Sequence, residues 1–511
     1  MAEHYDIIII GTGAGGGTLA HRLAPSGKKI LVLERGQFLP REKANWDAVE
    51  VFQKERYHTD EVWQDSNGRT LHPGTGYCVG GNTKVYGGAL FRLRERDFEE
   101  ITHHGGISPE WPLTYQDFAP YYDQAETLYQ VHGQQGLDPT EPARQQDYSF
   151  PPIQHEPRIQ EIHHRLADKG LNPFYLPLAI RLNEVNQLMS ACIRCNTCDG
   201  FPCIVNGKSD ADITCIQPAM SADNLTLITG AMVRQLKTSA SGKEVTGVEV
   251  EIGGELETFS ANIVVVACGA INSAVLLLRS QTDTHPNGLA NGSDQVGRNF
   301  MKHQNGAIVG ISHRPNPSVF QKTLAINDYY WGEDGFDYPM GHVQLLGKVN
   351  KDMMVLDAPK LSPGMALEEA AKHSVDWWLT AEDLPESRNR VRLKDDKITL
   401  EYIDNNTEAF NRLSHRWTRI MKSIECGDSI LPCSLYFRKR IPLQGVAHQV
   451  GTCRFGTDPG TSVLDLNCRT HEVDNLYVVD GSFFPSSGAV NPSLTIMANA
   501  MRVGDHLLER L

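Results

Sequence analysis

Four consecutive isoleucines, Ile7–Ile10, run straight into a glycine-rich turn, and no other feature of this sequence constrains the fold as tightly. A short apolar run of this kind suits a strand buried on both faces of a parallel sheet. The spacing that follows, Gly11-x-Gly13-x-x-Gly16, with Thr12 and Ala14 between, opens a helix predicted to run to about Ala24. Gly11 allows a tight turn, Gly13 lets the backbone approach a pyrophosphate, and Gly16 brings helix and strand together. The helix N-terminus would present free N–H groups and a positive dipole end to the phosphates. Eighteen residues past Gly16 a second apolar run, Ile30–Leu33, ends at Glu34-Arg35. Glu34 is placed to accept hydrogen bonds from an adenosine ribose, and its charge disfavours a 2′-phosphate. The pattern predicts dinucleotide binding and leaves FAD and NAD both open.

Two more apolar runs, Ile263–Ala267 and Leu476–Val479, lie in the middle and near the end of the chain. An α/β, Rossmann-type domain must therefore be assembled from separated segments, expected at 1–95, 191–305 and 445–511. Residues 96–190 are rich in Tyr, Pro, His and Gln, with a helical pattern at Tyr115–Gln130. Residues 306–444 alternate apolar and polar positions, as in Met340–Val349 and Arg390–Tyr402, which predicts an antiparallel sheet. These two stretches are assigned to a substrate-binding lobe with its connecting helices.

The formal net charge of −14 works against nucleic-acid partners and anionic membranes. No run approaches the roughly 20 apolar residues that span a bilayer, and the start does not read as a secretory leader. The expectation is a cytoplasmic protein without a membrane span. Eleven cysteines, an odd number, argue against a disulfide framework. Four of them are crowded as Cys192-x2-Cys195-x2-Cys198-x4-Cys203. Such spacing suits thiolates converging on one metal centre, and zinc fits the ligand count. A structural loop with turns at Gly200 and Pro202 needs no metal, and that is the expectation adopted.

Six further motifs appear in order. They are Val79-Gly80-Gly81-Asn82-Thr83 continuing through Tyr86-Gly87-Gly88-Ala89 to Phe91-Arg92; Gly269-Ala270-Ile271-Asn272-Ser273; Val296-Gly297-Arg298-Asn299-Phe300 ending at His303; His448-Gln449-Val450-Gly451-Thr452; Val479-Asp480-Gly481-Ser482; and Asn491-Pro492-x-x-Thr495. In this order they resemble the glucose–methanol–choline (GMC) oxidoreductase family from residue 5 to the C-terminus, most thinly in 306–444. The resemblance implies FAD on a GMC, p-hydroxybenzoate-hydroxylase-like fold. It places the cofactor against Gly11, Thr12, Gly13, Ala14, Gly16, Glu34, Arg35, Gly80, Gly81, Asn82, Tyr86, Gly87, Gly88, Ala89, Val233, Ala267, Gly269, Asp480, Gly481, Asn491, Pro492 and Thr495. Relatives with covalently linked flavin carry His where this chain has Val85, so the FAD is implied to be non-covalent. The cysteine cluster is similar to that of sugar- and gluconate-oxidising dehydrogenases, where an iron–sulfur cluster passes electrons to a cytochrome. Ala274 and Gln281 depart from the family pattern on the adenine side, with little consequence expected.

Taking a hydride from a carbinol carbon becomes feasible when the hydroxyl proton leaves to a base. His448 matches the family's active-site histidine, and an imidazole can serve as a base near neutral pH. Asn491 matches the second active-site position; its carboxamide can hydrogen-bond the substrate oxygen but cannot act as a base. The expected function is FAD-dependent oxidation of an alcohol CH–OH group, with a sugar or polyol favoured, by hydride transfer to flavin N5. Oxygen or a soluble acceptor would take the electrons. A flavoprotein lyase of the hydroxynitrile-lyase type and an iron–sulfur, cytochrome-coupled sugar dehydrogenase subunit are the alternatives. Tyr329, Tyr330, Trp377 and Trp378 are candidate pocket residues.

Overall fold

The four isoleucines form the central strand, His4–Ile10, of a parallel sheet covered on both faces, and Ile7, Ile8 and Ile9 have no exposed surface. The computed structural model describes residues 3–355, 364–426, 438–445 and 447–511. His4–Ile10 pairs in parallel with Ile30–Glu34 on one side and Glu255–Val266 on the other. Leu225–Thr229 extends the sheet beyond Ile30–Glu34, and Leu476–Val478 extends it beyond Glu255–Val266. The run expected at Ile263–Ala267 is the tail of this long strand. Its other end leaves the parallel sheet and pairs antiparallel with Val245–Ile252, which pairs in turn with Ala231–Thr238. Helix Ala14–Leu23 follows the first strand, and the C-terminal helix Ser493–Arg510 packs along it.

A second sheet has the order Arg438–Arg440, Gln304–Ile311, Ser374–Ala381, His342–Leu345, Leu324–Ile326, Phe174–Tyr175, and all its pairings are antiparallel. This is the sheet that the alternation in 306–444 leads one to expect. Helix Thr407–Ser423 packs against it, with the Trp377 and Trp417 rings 4.6 Å apart and neither exposed. Trp377 is therefore a core residue and not a pocket residue. Tyr330 is also buried.

Arg390–Tyr402 departs from expectation. Its hairpin, Arg390–Lys394 with Lys397–Glu401, joins Trp63–Asp65 and Thr70–Leu71 in a separate four-stranded sheet. The apolar face of the hairpin explains the change: Val391, Ile398 and Leu400 merge with the core built around the parallel sheet. It packs there against helix Ala270–Arg279.

Where the two sheets meet, Met301 and Val450 exchange both backbone hydrogen bonds, each 3.0 Å, in an antiparallel bridge. In an antiparallel register, two steps beyond Met301 stand opposite two steps before Val450. That puts His303 across from His448, although 145 residues separate them.

Candidate active site

At the nucleotide end, Thr12 is the hub. Its hydroxyl donates to Glu34 Oε2 at 2.6 Å and accepts from Gly80 N–H at 3.0 Å. Its own N–H also reaches Glu34 Oε2, at 3.1 Å, and Gly36 N–H reaches Glu34 Oε1, at 2.9 Å. Glu34 thus ends its strand where the sequence places it, with its carboxylate bracing the glycine turn; burial pushes its pKa up against these donors. Arg35 turns aside, stacked 3.5 Å from the Tyr77 ring centroid and paired with Glu61 at 2.6 Å.

The glycines of the turn divide by what surrounds them. A Cβ on Gly11, whose φ is +103°, would lie 2.4 Å from Ala267 O, and one on Gly16 would lie 2.1 Å from Gly11 O and 3.0 Å from Ala267 Cβ. Gly15, which the spacing rule passes over, is as tight: a Cβ there would lie 2.0 Å from Val479 O. A Cβ on Gly13 would meet no protein atom within 4 Å. The fold requires the first three to be small, whereas the room at Gly13 belongs to whatever binds there. Gly269 has the same open surroundings.

Helices Ala14–Leu23, Ala270–Arg279 and Ser493–Arg510 all begin without a side-chain cap. Uncapped N-termini present backbone N–H donors and the positive dipole end to an anion. Open space at Gly13, free helix donors and an acidic strand end are what a flavin dinucleotide requires, so the residues present fit FAD. Asp480 joins the parts. It accepts from Gly269 N–H at 2.9 Å and from Ser482 N–H at 2.8 Å, while Gly481 O accepts from Gly451 N–H at 3.0 Å, three residues from His448. Gly81 lies over Gly13, its position for a Cβ 3.1 Å from Gly13 Cα. Asn82 accepts from Thr75 at 2.9 Å, Tyr86 donates to Ser209 O, and Ala89 bridges to Leu178. Gly87 abuts Asp199 and Lys322, next to Gly88. Ala267 N–H donates to Ile10 O at 2.8 Å, Val233 lies at a bulge in its strand, and Thr495 meets Tyr122 Oη at 2.8 Å. Pro492 stands one position before the last helix.

At the reaction end, the observed partners determine where the protons are. His303 Nε2 lies 3.1 Å from Ser487 O, a carbonyl that can only accept, so Nε2 carries a hydrogen. Burial lowers the His303 pKa and keeps the ring neutral, which leaves Nδ1 as an acceptor. His448 Nδ1 lies 3.0 Å from that nitrogen and must therefore be the donor. The remaining nitrogen of a neutral His448, Nε2, holds a free lone pair and has no hydrogen-bond partner among the described residues. His448 keeps part of its surface accessible, yet its surroundings disfavour a charge: burial first, then His303, push its pKa down to about 3. His303 holds its ring in place from a backbone φ of +61°, sparsely populated for a side chain of this size. Asn491 lies four residues beyond Ser487, and its carboxamide likewise has no partner among the described residues. His303 is the neighbour of the candidate base that sequence reasoning missed; it closes the Val296–His303 motif, but only the register with His448 shows their contact.

No disulfide joins Cys192, Cys195, Cys198 or Cys203 to another described residue. The Cys192 and Cys203 sulfurs accept from Arg194 N–H at 3.5 Å and Gly207 N–H at 3.3 Å. Their loop packs against the flavin-side motif through Gly200 N–H, which donates to Val85 O at 2.9 Å.

A pyrophosphate-ready glycine turn, linked through Asp480-Gly481 to a neutral imidazole with a free lone pair, is the layout of a dinucleotide-dependent oxidoreductase. Family models described as GMC oxidoreductase match residues 5–305 and 385–500, and the chain belongs to this family, whose members use FAD. It is 31% identical to 6'''-hydroxyparomomycin C oxidase of Streptomyces lividus, over 99% of this chain and 92% of that one. It is 30% identical to paromamine 6'-oxidase of Streptomyces fradiae, over 98% and 90%. Pyridoxine 4-oxidase from Mesorbium loti shares the fold at 20% identity, with a TM-score of 0.67 over 98% of this chain and 99% of that one. The chain is thus an oxidoreductase acting on CH–OH groups, with a Rossmann-type FAD domain and a substrate domain.

The contrast between glycines is testable. Gly15→Ala should lower stability by about 3 kcal/mol through overpacking, read as a shift in the urea midpoint. Gly13→Ala should leave the urea midpoint of the flavin-free protein unchanged and weaken FAD binding. Equal destabilisation by both would show that Gly13 is small for packing alone.

Proposed function

We propose that the chain oxidises a CH–OH group of a sugar or other polyol, with His448 Nε2 taking the hydroxyl proton. The observation that carries this reading is the lone pair left on Nε2 once Ser487 and His303 have dictated the other three ring nitrogens. FAD, when bound, supplies the hydride acceptor at flavin N5. The Asn491 carboxamide hydrogen-bonds the substrate oxygen and holds the carbinol in one orientation. As the proton arrives on Nε2, His448 keeps donating from Nδ1 to His303, so the new charge is shared across an existing hydrogen bond. The burial that keeps His448 neutral at rest makes that proton favourable only beside a developing negative oxygen. The favoured substrate class is supported by two of the relatives named above, by name oxidases of 6'''-hydroxyparomomycin C and of paromamine.

We also propose that Val85 leaves FAD non-covalent, that the Cys192–Cys203 loop is structural, and that oxygen or a soluble acceptor takes the electrons. Lys208 Nζ braces the loop, donating to Cys198 O at 2.7 Å and Phe201 O at 2.9 Å. Among the described residues no helix is long and apolar enough to cross a membrane, and a cytoplasmic location is part of the same reading.

An anaerobic screen of alcohols and sugars for flavin bleaching, paromamine among them, identifies the substrate. Acid precipitation should release all FAD, and metal analysis of anaerobically purified protein should find no iron. Flavin in the pellet would refute the first statement; three or four irons per chain with acid-labile sulfide would refute the second. His448→Ala should retain FAD and slow flavin reduction by roughly two to four orders of magnitude, with a smaller loss for Asn491→Ala. Because the folded pKa is depressed, His448 stays a free base until the pH falls far below the usual histidine range. The wild-type reduction rate should accordingly be flat from pH 8 to pH 5. An inflection near the ordinary histidine pKa, removed in His448→Ala, would contradict the neutral, buried base.

A further inference from the structure

The segment that carries Asn491 is a loop, residues 486–491, with almost no hydrogen bonding of its own. Side chains from distant parts of the chain hold it instead. Trp111 Nε1 donates to Ser486 Oγ at 2.7 Å. His303 takes Ser487 O, and Ser487 Oγ donates to Asp383 O at 3.0 Å. Gly488 N–H donates to Glu382 Oε1 at 3.2 Å, and Ala489 N–H donates to Tyr330 Oη at 3.1 Å. Among the described residues the holds continue to within two residues of Asn491 and stop there.

Tyr330 is the last of them, and its geometry is directional. Its hydroxyl has one proton, which it donates to Asp97 Oδ2 at 2.9 Å. Asp97 is itself fixed, accepting from Arg94 N–H at 2.7 Å. With the proton committed to Asp97, the phenol oxygen turns a lone pair to Ala489 N–H. Tyr330 is 1% exposed, so that N–H has no water to turn to if the hydroxyl is lost. The Glu382 carboxylate is held as firmly: Ser108 Oγ donates to Oε1 at 2.6 Å, and His103 Nε2 lies 3.1 Å from Oε2. Gly488 has φ +58°, and a Cβ there would lie 2.6 Å from Leu93 and 3.5 Å from Asp97 Oδ2, so the loop runs tight against the segment that carries Asp97.

We propose that Tyr330, oriented by Asp97, and Glu382 are positioning residues that set where the Asn491 carboxamide meets the substrate oxygen. The inference rests on the assignment of Asn491 in the preceding subsection. None of these side chains touches substrate in this account; each acts on a loop N–H, and Asn491 delivers the effect. Sequence reading placed Tyr330 among candidate pocket residues, whereas the structure puts it behind the loop.

The test is a double-mutant cycle on flavin reduction, measured anaerobically with the alcohol that bleaches the wild-type flavin fastest. Tyr330→Phe removes one oxygen and little volume. It should keep FAD and reduce the limiting reduction rate about tenfold, the worth of one misplaced hydrogen bond, with half-saturation changed less than about twofold. In an Asn491→Ala background the same substitution should have no further effect, because the residue it positions is gone. Glu382→Gln, which weakens the hold on Gly488 without changing shape, is the second variant and should be non-additive in the same way. Losses that multiply in the double variants would overturn the positioning role and leave the active-site assignment standing. A wild-type rate in Asn491→Ala would overturn the assignment and this inference with it.

Discussion

A carbonyl oxygen cannot donate a hydrogen bond, and the reactive end of this molecule is arranged around that fact. Ser487 O requires a hydrogen on His303 Nε2; a neutral His303 then accepts on Nδ1, and His448 must donate from its own Nδ1. The lone pair that remains is the one a base needs. Neutrality of both rings is the condition, and burial supplies it. One carbonyl in the loop that carries Asn491 thereby governs the protonation of a histidine on another segment, so a single imidazole links His448 to that loop.

The cofactor end depends on a comparable economy of contacts. Thr12 ties Glu34 to Gly80, and Asp480 ties the Gly269 turn to the Asp480-Gly481 corner that backs the His448 segment. The parallel sheet brings these turns together because strands from residues 4, 30, 225, 255 and 476 end along one edge. Ligands of open α/β sheets bind beyond the carboxyl ends of such strands. The distance in sequence between Gly13 and His448 is closed by that edge, by the Met301–Val450 bridge and by the Gly451–Gly481 contact.

Much of the nucleotide site is legible in the sequence because its signals are local. The Gly11–Gly16 spacing, the strand before it and Glu34 after it lie within thirty residues, and each has one physical purpose. Gly15 escapes the same rule because the atom it must avoid, Val479 O, belongs to the far end of the chain. The His448 and Asn491 assignments come from resemblance; nothing in their flanking residues shows that His303 lies between His448 and the Ser487 carbonyl. Strand alternation in 306–444 shows that two faces exist but not what covers each, so Trp377 reads as a pocket candidate and sits against Trp417. The Arg390–Tyr402 hairpin has the same alternation, and only its burial against the other domain's core decides which sheet it joins.

The central claim is a statement about one proton, and nitrogen-15 NMR of histidine-labelled protein reads it directly. The account predicts that His448 at pH 7 is a neutral ring with hydrogen on Nδ1 and a bare Nε2, and that His303 is its mirror, with hydrogen on Nε2 and a bare Nδ1. His303→Asn should release that preference while FAD stays bound. A His448 found protonated at Nε2, or a His303 carrying both hydrogens at neutral pH, would contradict the account.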